Sequence, residues 1–306
     1  KKNKIDKIGL TSPHSVTIPG ALDAWKNIHK DFGKLDFEEL FLKAIDFAKN
    51  GFRVTKVVAD AWSNNLSKLS ENKNSKKLLL NNGKSYQFSE IRKNIPLGET
   101  LELINKKGIS EFYKGSIAED MVNCLNELGG LHTVKDFSKQ KTIKSETISS
   151  KYNNIQIHQC PPNGPGISVL IMMKLLEKLE INKYKYNSIE RFHLEAEVTK
   201  QAYKIKEENI GDPDFVNFDL EKILSDKNIN NILKNISLSN CSDIGDLNIP
   251  NHPETVYLSV VDKDLNSVSI INSVCYAFGS GITTEKTGIV LHNRGTNFRV
   301  EEGHPN

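Results

Sequence analysis

The sequence predicts a layered α/β architecture, in which helices cover β-sheets. Residues 21–128 show helical periodicity interrupted by short Gly and Pro segments, whereas the hydrophobic period becomes that of strands over residues 142–159 and again from Thr255. A chain of 306 residues with 38% hydrophobic residues can bury one large core or two smaller ones. Helices and strands in this mixed order favour helical layers packed on sheets.

Capping residues and glycines mark the helices of the first half, which are predicted over residues 21–29, 37–48, 98–105 and 116–128. Asp36 fits the N-cap of the second helix and Gly51 follows its end, while Gly129 and Gly130 end the fourth. The intervening segment 63–87 is rich in Lys, Asn and Ser, and predicts a loop with one mobile helix.

The second half combines strands with long helices. Strands are predicted over 142–149 and 152–159, and helices over 167–179 and 189–206, followed by a polar segment with short helices over 209–248. From Thr255, alternating side chains predict a strand, a turn over 262–266 and a returning strand over 268–271. We find no internal repeat.

Composition excludes several classes of function. Charged residues make up 26% of the chain and the net charge is +3, so the lysines are offset by acids and no nucleic-acid partner is expected. No apolar run approaches the roughly 18 residues of a membrane span, and the first dozen residues lack the apolar stretch of a signal peptide. Because the chain begins with Lys1, its start can be trimmed; we expect a cytoplasmic protein.

The four cysteines, Cys124, Cys160, Cys241 and Cys275, are widely scattered. They form no CxxC motif and no local Cys/His cluster, so we expect no zinc site, and the sequence implies no other metal and no organic cofactor.

Thr255 is the strongest candidate for a catalytic residue. It is a hydroxyl residue at the first position of a predicted strand, after the irregular segment 248–254, and this is the arrangement that a self-cleaving hydrolase with an N-terminal nucleophile requires. The alternative is an ordinary β-hairpin, in which Val256, Leu258 and Val260 form an apolar face.

The chain resembles the gamma-glutamyltranspeptidase family in seven segments that occur in the family's order and cover most of its length. They are SVTIPG at 15–20 with Trp25; the helical signature at 100–137 (TLELINKKG, FYKG, IA, GG and DF); CPPNGPG at 160–166; HLEA at 193–196; 255–264; FGSG at 278–281; and TG at 287–288. Any one of these segments is a weak signal, and together they are a strong one.

The resemblance implies a four-layer αββα sandwich of the Ntn-hydrolase type, of which this chain is a part. Residues 1–254 would form the large-subunit portion, and residues 255–306 would begin the small subunit. The implied function is that of a self-cleaving, Thr-dependent amidohydrolase or acyltransferase that acts on γ-glutamyl or related acyl amides, with water or an amine as acceptor.

The same resemblance assigns the catalytic roles. Thr255 would attack the carbonyl of Glu254 in an N-to-O acyl shift that water resolves, and the new α-amine, with an ordinary pKa of roughly 7.7–8.0, would serve as its base. Ser273 would orient the nucleophile, or would instead only hydrogen-bond within its own strand. Gly279 and Gly281 would line the pocket, or serve simply as turns. His193 and Glu195 are assigned to a structural helix network.

The sequence departs from the family at the substrate's head group. Where the family carries an Asn, a Gln and an Asp, this chain has Cys275, Arg294 and Asn297. Losing an acid and gaining an Arg shifts the preference towards a substrate with a carboxylate at that place, which favours an amidase or acylase. Arg294 could instead be a surface ion-pair residue.

Compared with the family, the chain begins late and ends early, so that the upstream Arg and the downstream Gly-Gly oxyanion donors fall outside it. We therefore expect partners in the remaining large- and small-subunit segments, while the oligomeric state stays open, with a homodimer as one option. The alternative function is a catalytically degenerate family member that serves as a scaffold or binding module.

Overall fold

The computed structural model describes residues 6–245 and 253–306, which form helices joined by three short antiparallel strand pairs. The helices are α1 (Ala21–Phe32), α2 (Leu42–Asn50), α3 (Lys56–Asn64), α4 (Leu66–Glu71), α5 (Lys73–Leu79), α6 (Ile95–Lys107), α7 (Ser110–Lys114), α8 (Ser116–Glu127), α9 (Val134–Ser138), α10 (Gly166–Lys178), α11 (Ile189–Asn209), α12 (Leu220–Leu224) and α13 (Asp226–Leu233). The strands are β1 (Phe52–Arg53), β2 (Ile91–Arg92), β3 (Ile148–Tyr152), β4 (Ile155–Gln159), β5 (Pro253–Val261) and β6 (Ser267–Tyr276). None of the helices in the described part combines the length and the apolar character needed to cross a membrane.

The chain divides into two units. The first unit combines Lys1–Thr142 with Asn251–Phe298, and the second combines Ile143–Pro250 with Arg299–Asn306. This division does not follow the predicted subunit boundary at residues 254 and 255. That boundary concerns a cleaved peptide bond rather than the packing of the chain, and it stays a prediction.

Helix α8 lies at the centre of the first unit. Its residues Ile117, Met121 and Leu125 recur every four positions, and all three are fully buried. They pack in a core that includes Phe137 from α9 and Leu291 from the C-terminal part of the unit. The helix predicted over 116–128 is confirmed, and the apolar residues whose spacing predicted it face this core.

The segment 63–87 was expected to form a loop with one mobile helix, but two helices, α4 and α5, lie within it, directly after α3. Leu69, Leu79 and Leu80 of this segment are buried and pack with Trp62 of α3 in a second cluster of the first unit. The Trp62 indole Nε1 donates to the Leu79 carbonyl over 2.8 Å, which satisfies its polar group inside that cluster.

Helices α10 and α11 form the core of the second unit. Ile167, Leu170 and Leu175 of α10 are fully buried and pack in one cluster with Val198 and Ala202 of α11. Both helices were predicted from sequence. The strand predicted over 142–149 begins later, at Ile148, because its hydrogen-bonded register with β4 pairs only Ile148–Tyr152.

Strands β5 and β6 form an antiparallel hairpin. Its turn is closed by Asp262, whose Oδ1 accepts from the amides of Asp264 and Asn266, at 2.9 Å each, and the turn predicted over 262–266 is thereby confirmed. The apolar side chains Val256, Leu258 and Ile271 are more than half exposed. Within the described part of the chain, less than half of the surface of each side chain is covered, so the hairpin gains little stability from burying them.

Residues after β6 are held by buried polar contacts. The Asp120 carboxylate of α8 accepts from the Lys286 amide at 3.2 Å, and from the amide and hydroxyl of Thr287 at 2.8 Å each. The carbonyls of Thr287 and Gly288 accept from Thr100 Oγ1 and Asn94 Nδ2, both at 3.0 Å. Side chains of the N-terminal half therefore fix the backbone of the Thr287-Gly288 segment.

Replacing Asp120 with Ala should lower the free energy of unfolding by about 2–3 kcal/mol, because the buried Thr287 amide and hydroxyl lose their acceptor. Denaturant titration of the purified full-length protein measures this change. Asn123→Ala is the matched control, since Asn123 is exposed on the same helix and its loss should cost less than about 0.5 kcal/mol. Equal stability of the two variants would contradict the assigned role of Asp120.

Candidate active site

A β-bulge places Thr255 opposite two residues of the neighbouring strand. The register pairs Glu254 with Cys275 and Val256 with Asn272, so that Thr255 alone faces Ser273 and Val274. A bulge of this kind leaves one residue outside the regular ladder and re-aims side chains at that point, and bulges are common beside active sites. The sequence predicted a strand that begins at Thr255. β5 instead begins two residues earlier, at Pro253, because Pro253 and Glu254 already pair with β6, and the bulge was not predicted.

The hydroxyls of Thr255 and Ser273 are joined directly. Thr255 Oγ1 donates to Ser273 Oγ over 3.1 Å, and Ser273 Oγ also accepts from the Cys275 amide over 2.9 Å. The Cys275 amide thus fixes the position of Ser273 Oγ, which in turn orients the Thr255 hydroxyl. Thr255 is exposed, so an approaching carbonyl carbon can reach its oxygen.

A chain of contacts continues from Cys275 to a short 3₁₀ helix, Arg294–Asn297. Asn297 Nδ2 lies 4.0 Å from the buried Cys275 Sγ, a weak polar contact. Side chains at positions i and i+3 of a 3₁₀ helix eclipse one another, so Arg294 and Asn297 share one side of this helix. The structure therefore brings together the three head-group candidates, Cys275, Arg294 and Asn297.

Arg294 carries an exposed charge, and no carboxylate forms an ion pair with it among the described residues. Burial, and next the charge of Arg294, lower the pKa of His292 to about 4. His292 is therefore neutral at neutral pH, and Arg294 supplies the positive charge at this place. The alternative of a surface ion pair for Arg294 finds no partner in the described part.

Gly279 and Gly281 form a buried turn directly after β6. Both have positive φ, and a Cβ at Gly279 would lie 2.4 Å from the Leu291 carbonyl oxygen, so no larger residue fits there. Their amides donate to Tyr276 O and Phe278 O at 2.7 and 2.8 Å. The structure shows the turn role for both glycines, and the pocket-lining role stays a prediction.

Two residues that sequence reasoning missed hold this region in place. The Lys68 ammonium of α4 donates to the Ala277 carbonyl over 2.7 Å, and burial lowers the pKa of Lys68. Asn293 is fully buried, accepts from the Tyr276 amide at 3.3 Å and donates to Leu10 O at 3.1 Å. Both contacts join residues far apart in sequence, and no local pattern indicates them.

Other predicted residues lie outside this group or outside the description. His193 and Glu195 are in α11, where His193 contacts the Ser237 carbonyl and Glu195 pairs with Arg191, as expected for a structural helix network. The loop predicted over 248–254 coincides largely with residues 246–252, which are outside the described residues. Of Glu254, the strand register is described but not the side chain.

The arrangement has features that a nucleophilic attack at the Glu254–Thr255 bond would require. It combines the exposed hydroxyl of Thr255 near the N-terminal end of a strand, the hydroxyl of Ser273 that accepts its hydrogen bond, and a β-bulge at the same point. These are the features expected of a self-processing hydrolase, and an ordinary hairpin requires none of them.

Comparison with known proteins shows to which family the chain belongs. The family model described as Gamma-glutamyltranspeptidase matches residues 1–306. The chain is 31% identical to a glutathione hydrolase-like YwrD proenzyme of Bacillus subtilis, over 100% of this chain and 57% of that protein. It is 30% identical to a glutathione hydrolase proenzyme of Escherichia coli, over 99% of this chain and 54% of that protein.

The fold is shared with a solved structure, that of cephalosporin acylase from Bacillus halodurans. The TM-score is 0.84 with 24% identity, and the match covers 99% of this chain and 56% of that chain. This likeness confirms the predicted layered fold. The chain spans about half the length of the curated relatives it matches. With the family model matched from end to end, the chain belongs to the gamma-glutamyltranspeptidase family.

Proposed function

We propose that this chain forms the region around the nucleophile of a self-cleaving threonine amidohydrolase or acyltransferase, acting on γ-glutamyl or related acyl amides. The observation that carries the proposal is the hydrogen bond from Thr255 Oγ1 to Ser273 Oγ at the bulge. The names of the related proteins, glutathione hydrolase proenzymes, support both the class of substrate and processing from a precursor.

Self-cleavage begins when Thr255 Oγ1 attacks the Glu254 carbonyl carbon. The C–O bond forms, the peptide C–N bond breaks, and the proton of the hydroxyl ends on the Thr255 nitrogen, giving an ester. Water then hydrolyses the ester, which leaves a carboxylate on Glu254 and a free α-amine on Thr255. Ser273 Oγ, 3.1 Å from the attacking oxygen, is the group in contact with the departing proton.

Cleavage changes the chemistry of Thr255, because an amide nitrogen is no base and an α-amine is one. Its ordinary pKa of roughly 7.7–8.0 suits proton transfer near neutral pH. In turnover the amine takes the hydroxyl proton, Oγ1 attacks the γ-acyl carbonyl, and the leaving amine departs with a proton. The acyl-Thr255 ester then passes its acyl group to water or to an amine acceptor.

The charge of Arg294 supports a finer substrate class. With no carboxylate paired to it in the described part, its guanidinium is available for a carboxylate of the substrate, which it can bind through two parallel N–H donors. Acyl groups that end in a carboxylate, such as glutaryl, fit this charge.

Thr255→Ala should abolish self-cleavage, because it removes the attacking oxygen. Intact mass of the purified full-length protein under denaturing conditions measures the outcome: two pieces that meet between Glu254 and Thr255 for the native protein, and one uncut chain for the variant. Thr255→Ser keeps the hydroxyl and should still be cut. A Thr255→Ala protein cut at the same bond would overturn the proposal, and an uncut native chain would favour the scaffold alternative.

Ser273→Ala should slow self-cleavage by roughly 2–10-fold, which corresponds to one hydrogen bond of about 0.5–1.5 kcal/mol. The rate of appearance of the two pieces measures this effect. Ser273→Thr retains the hydroxyl and should restore the rate. The control is Ser267→Ala, a serine at the far end of the same strand. A similar slowing in both alanine variants would point to a general loosening of the hairpin instead of a role in positioning.

Arg294→Ala should raise the KM for glutaryl amides by roughly tenfold while changing the KM for γ-glutamyl amides less, because a γ-glutamyl group carries an α-ammonium beside its carboxylate, and the repulsion between that ammonium and Arg294 offsets the charge-assisted contact. Steady-state kinetics on the two series compares them, with Lys286→Ala as control for the loss of one exposed positive charge. An equal rise for both series would show that Arg294 does not select the head group.

A further inference from the structure

Two residues of α11 and one cysteine that is distant in sequence lie close together in the second unit, and all three are of types that bind metal ions. His193 and Glu197 are four residues apart on α11 and therefore neighbours on its surface. Cys241 lies on the segment that packs against this helix. The potential ligand atoms of His193, Glu197 and Cys241 all lie within 4.8 Å of one another.

The segment that carries Cys241 is held on α11 by hydrogen bonds on both sides of the cysteine. His193 Nε2 lies 2.7 Å from the Ser237 carbonyl oxygen. Glu197 accepts from the amide of Ser242 at 3.0 Å and from its hydroxyl, and Gln201 Nε2 donates to that hydroxyl over 3.1 Å. Cys241 is thus positioned before any ion binds.

The tautomer of His193 suits metal binding. Because a carbonyl oxygen only accepts, the ring proton is on Nε2 and the lone pair is on Nδ1. Metal-binding histidines typically donate their other N–H to a carboxylate or backbone carbonyl, which fixes the orientation of the ring. Here the Ser237 carbonyl accepts that hydrogen bond and so orients the ring of His193.

The buried carboxylate of Glu197 also keeps a lone pair with which it can bind a metal ion. Its Oε1 accepts one hydrogen bond, from Lys200 Nζ at 2.7 Å, and a carboxylate oxygen offers two lone pairs. Burial alone would raise the pKa of Glu197, but the hydrogen bonds from Lys200 and Ser242 outweigh it and lower the pKa. The carboxylate is therefore ionised at neutral pH, as a ligand must be.

We propose that His193, Glu197 and Cys241 form a binding site for a zinc-class divalent ion in the second unit. One nitrogen, one thiolate and one carboxylate oxygen are a ligand set that Zn²⁺ accepts, with water in the fourth tetrahedral position. The two anionic ligands balance the charge of the ion. Zinc bond lengths of about 2.0–2.3 Å set ligand atoms about 3.3–3.8 Å apart. Cys241 is exposed, so its side chain is free to close that difference.

A bound ion would add a strong cross-link between α11 and the segment that ends at the described residue 245. That segment continues along the chain towards Thr255, so the ion would tether the polypeptide upstream of the proposed cleavage point. The sequence did not indicate this site, because Cys241 is distant in sequence from the two helical ligands and no metal-binding spacing exists.

The test measures the binding of Zn²⁺ by the protein. The purified full-length protein, stripped with a chelator, is titrated with Zn²⁺ in competition with a chromophoric chelator at neutral pH. Native protein should bind one equivalent more than the Cys241→Ser or His193→Gln variant, or bind it roughly 10–100-fold more tightly. Cys160→Ser is the matched control, since Cys160 is the other exposed cysteine of the second unit and should leave zinc binding unchanged.

Two further readouts connect the ion to these ligands. Co²⁺ in place of Zn²⁺ should give a thiolate charge-transfer absorption that Cys241→Ser removes and Cys160→Ser retains. Zinc should increase amide-exchange protection over residues 238–245. Circular dichroism in chelator shows whether each variant is folded. Equal zinc binding by native protein and the folded Cys241→Ser variant, or equal loss with Cys160→Ser, would overturn the proposal, and neither outcome depends on self-cleavage.

Discussion

Buried hydroxyl and amide groups between residues 277 and 297 need partners, because water does not reach them. The buried polar side chains of this segment are Ser280, Thr283, Thr284, Thr287, Asn293 and Thr296. Partners come from the segment itself and from the N-terminal half, where Ser75 Oγ contacts Gly281 O at 2.5 Å and Thr283 Oγ1 at 2.7 Å, and Asp120 holds Thr287. Few arrangements satisfy all of these groups at once, so the network specifies one backbone path.

The hairpin depends on this network at one of its ends. The last residues of β6 are tied to it through Asn293, which accepts from Tyr276, and through Lys68, which donates to Ala277. The other end, at the turn closed by Asp262, is exposed and held only by local hydrogen bonds. Thr255 lies at the anchored end, opposite Ser273. A nucleophile has to be held in place by rigid surroundings, and only this end of the hairpin provides them.

Local signals in the sequence predicted what is local in the structure. The four-residue spacing of Ile117, Met121 and Leu125 predicted α8, and Asp262 with Asn266 predicted the hairpin turn, because periodicity and turn chemistry act over a few residues. Only one helix was predicted where α4 and α5 lie, since the polar composition of this segment hides two buried apolar side chains, Leu69 and Leu79.

The structural features that the sequence could not predict depend on contacts between residues that are distant in the chain. Thr255 was identified from its position, but the bulge that aims it follows from the register of two strands. Lys68 and Asn293 carry no motif, and their roles depend on carbonyls and amides far away in the chain. The family resemblance supplied Ser273, Cys275, Arg294 and Asn297 as candidates, and only the fold shows that contacts link Ser273, Cys275 and Asn297 to Thr255.

One consequence concerns the proton of the Thr255 hydroxyl. Before cleavage, the nitrogen of Thr255 belongs to an amide and is not a base, and the Thr255 hydroxyl donates its hydrogen bond to Ser273 Oγ. After cleavage, the α-amine of the same residue becomes the base. In the proposed mechanism, both reactions use the Thr255 hydroxyl, which donates a hydrogen bond to Ser273 Oγ in the uncut chain and would give its proton to the α-amine during turnover. Since the bulge and the Cys275 amide set the position of Ser273 in the uncut chain, that geometry would serve the proposed self-cleavage, and self-cleavage would create the base for turnover.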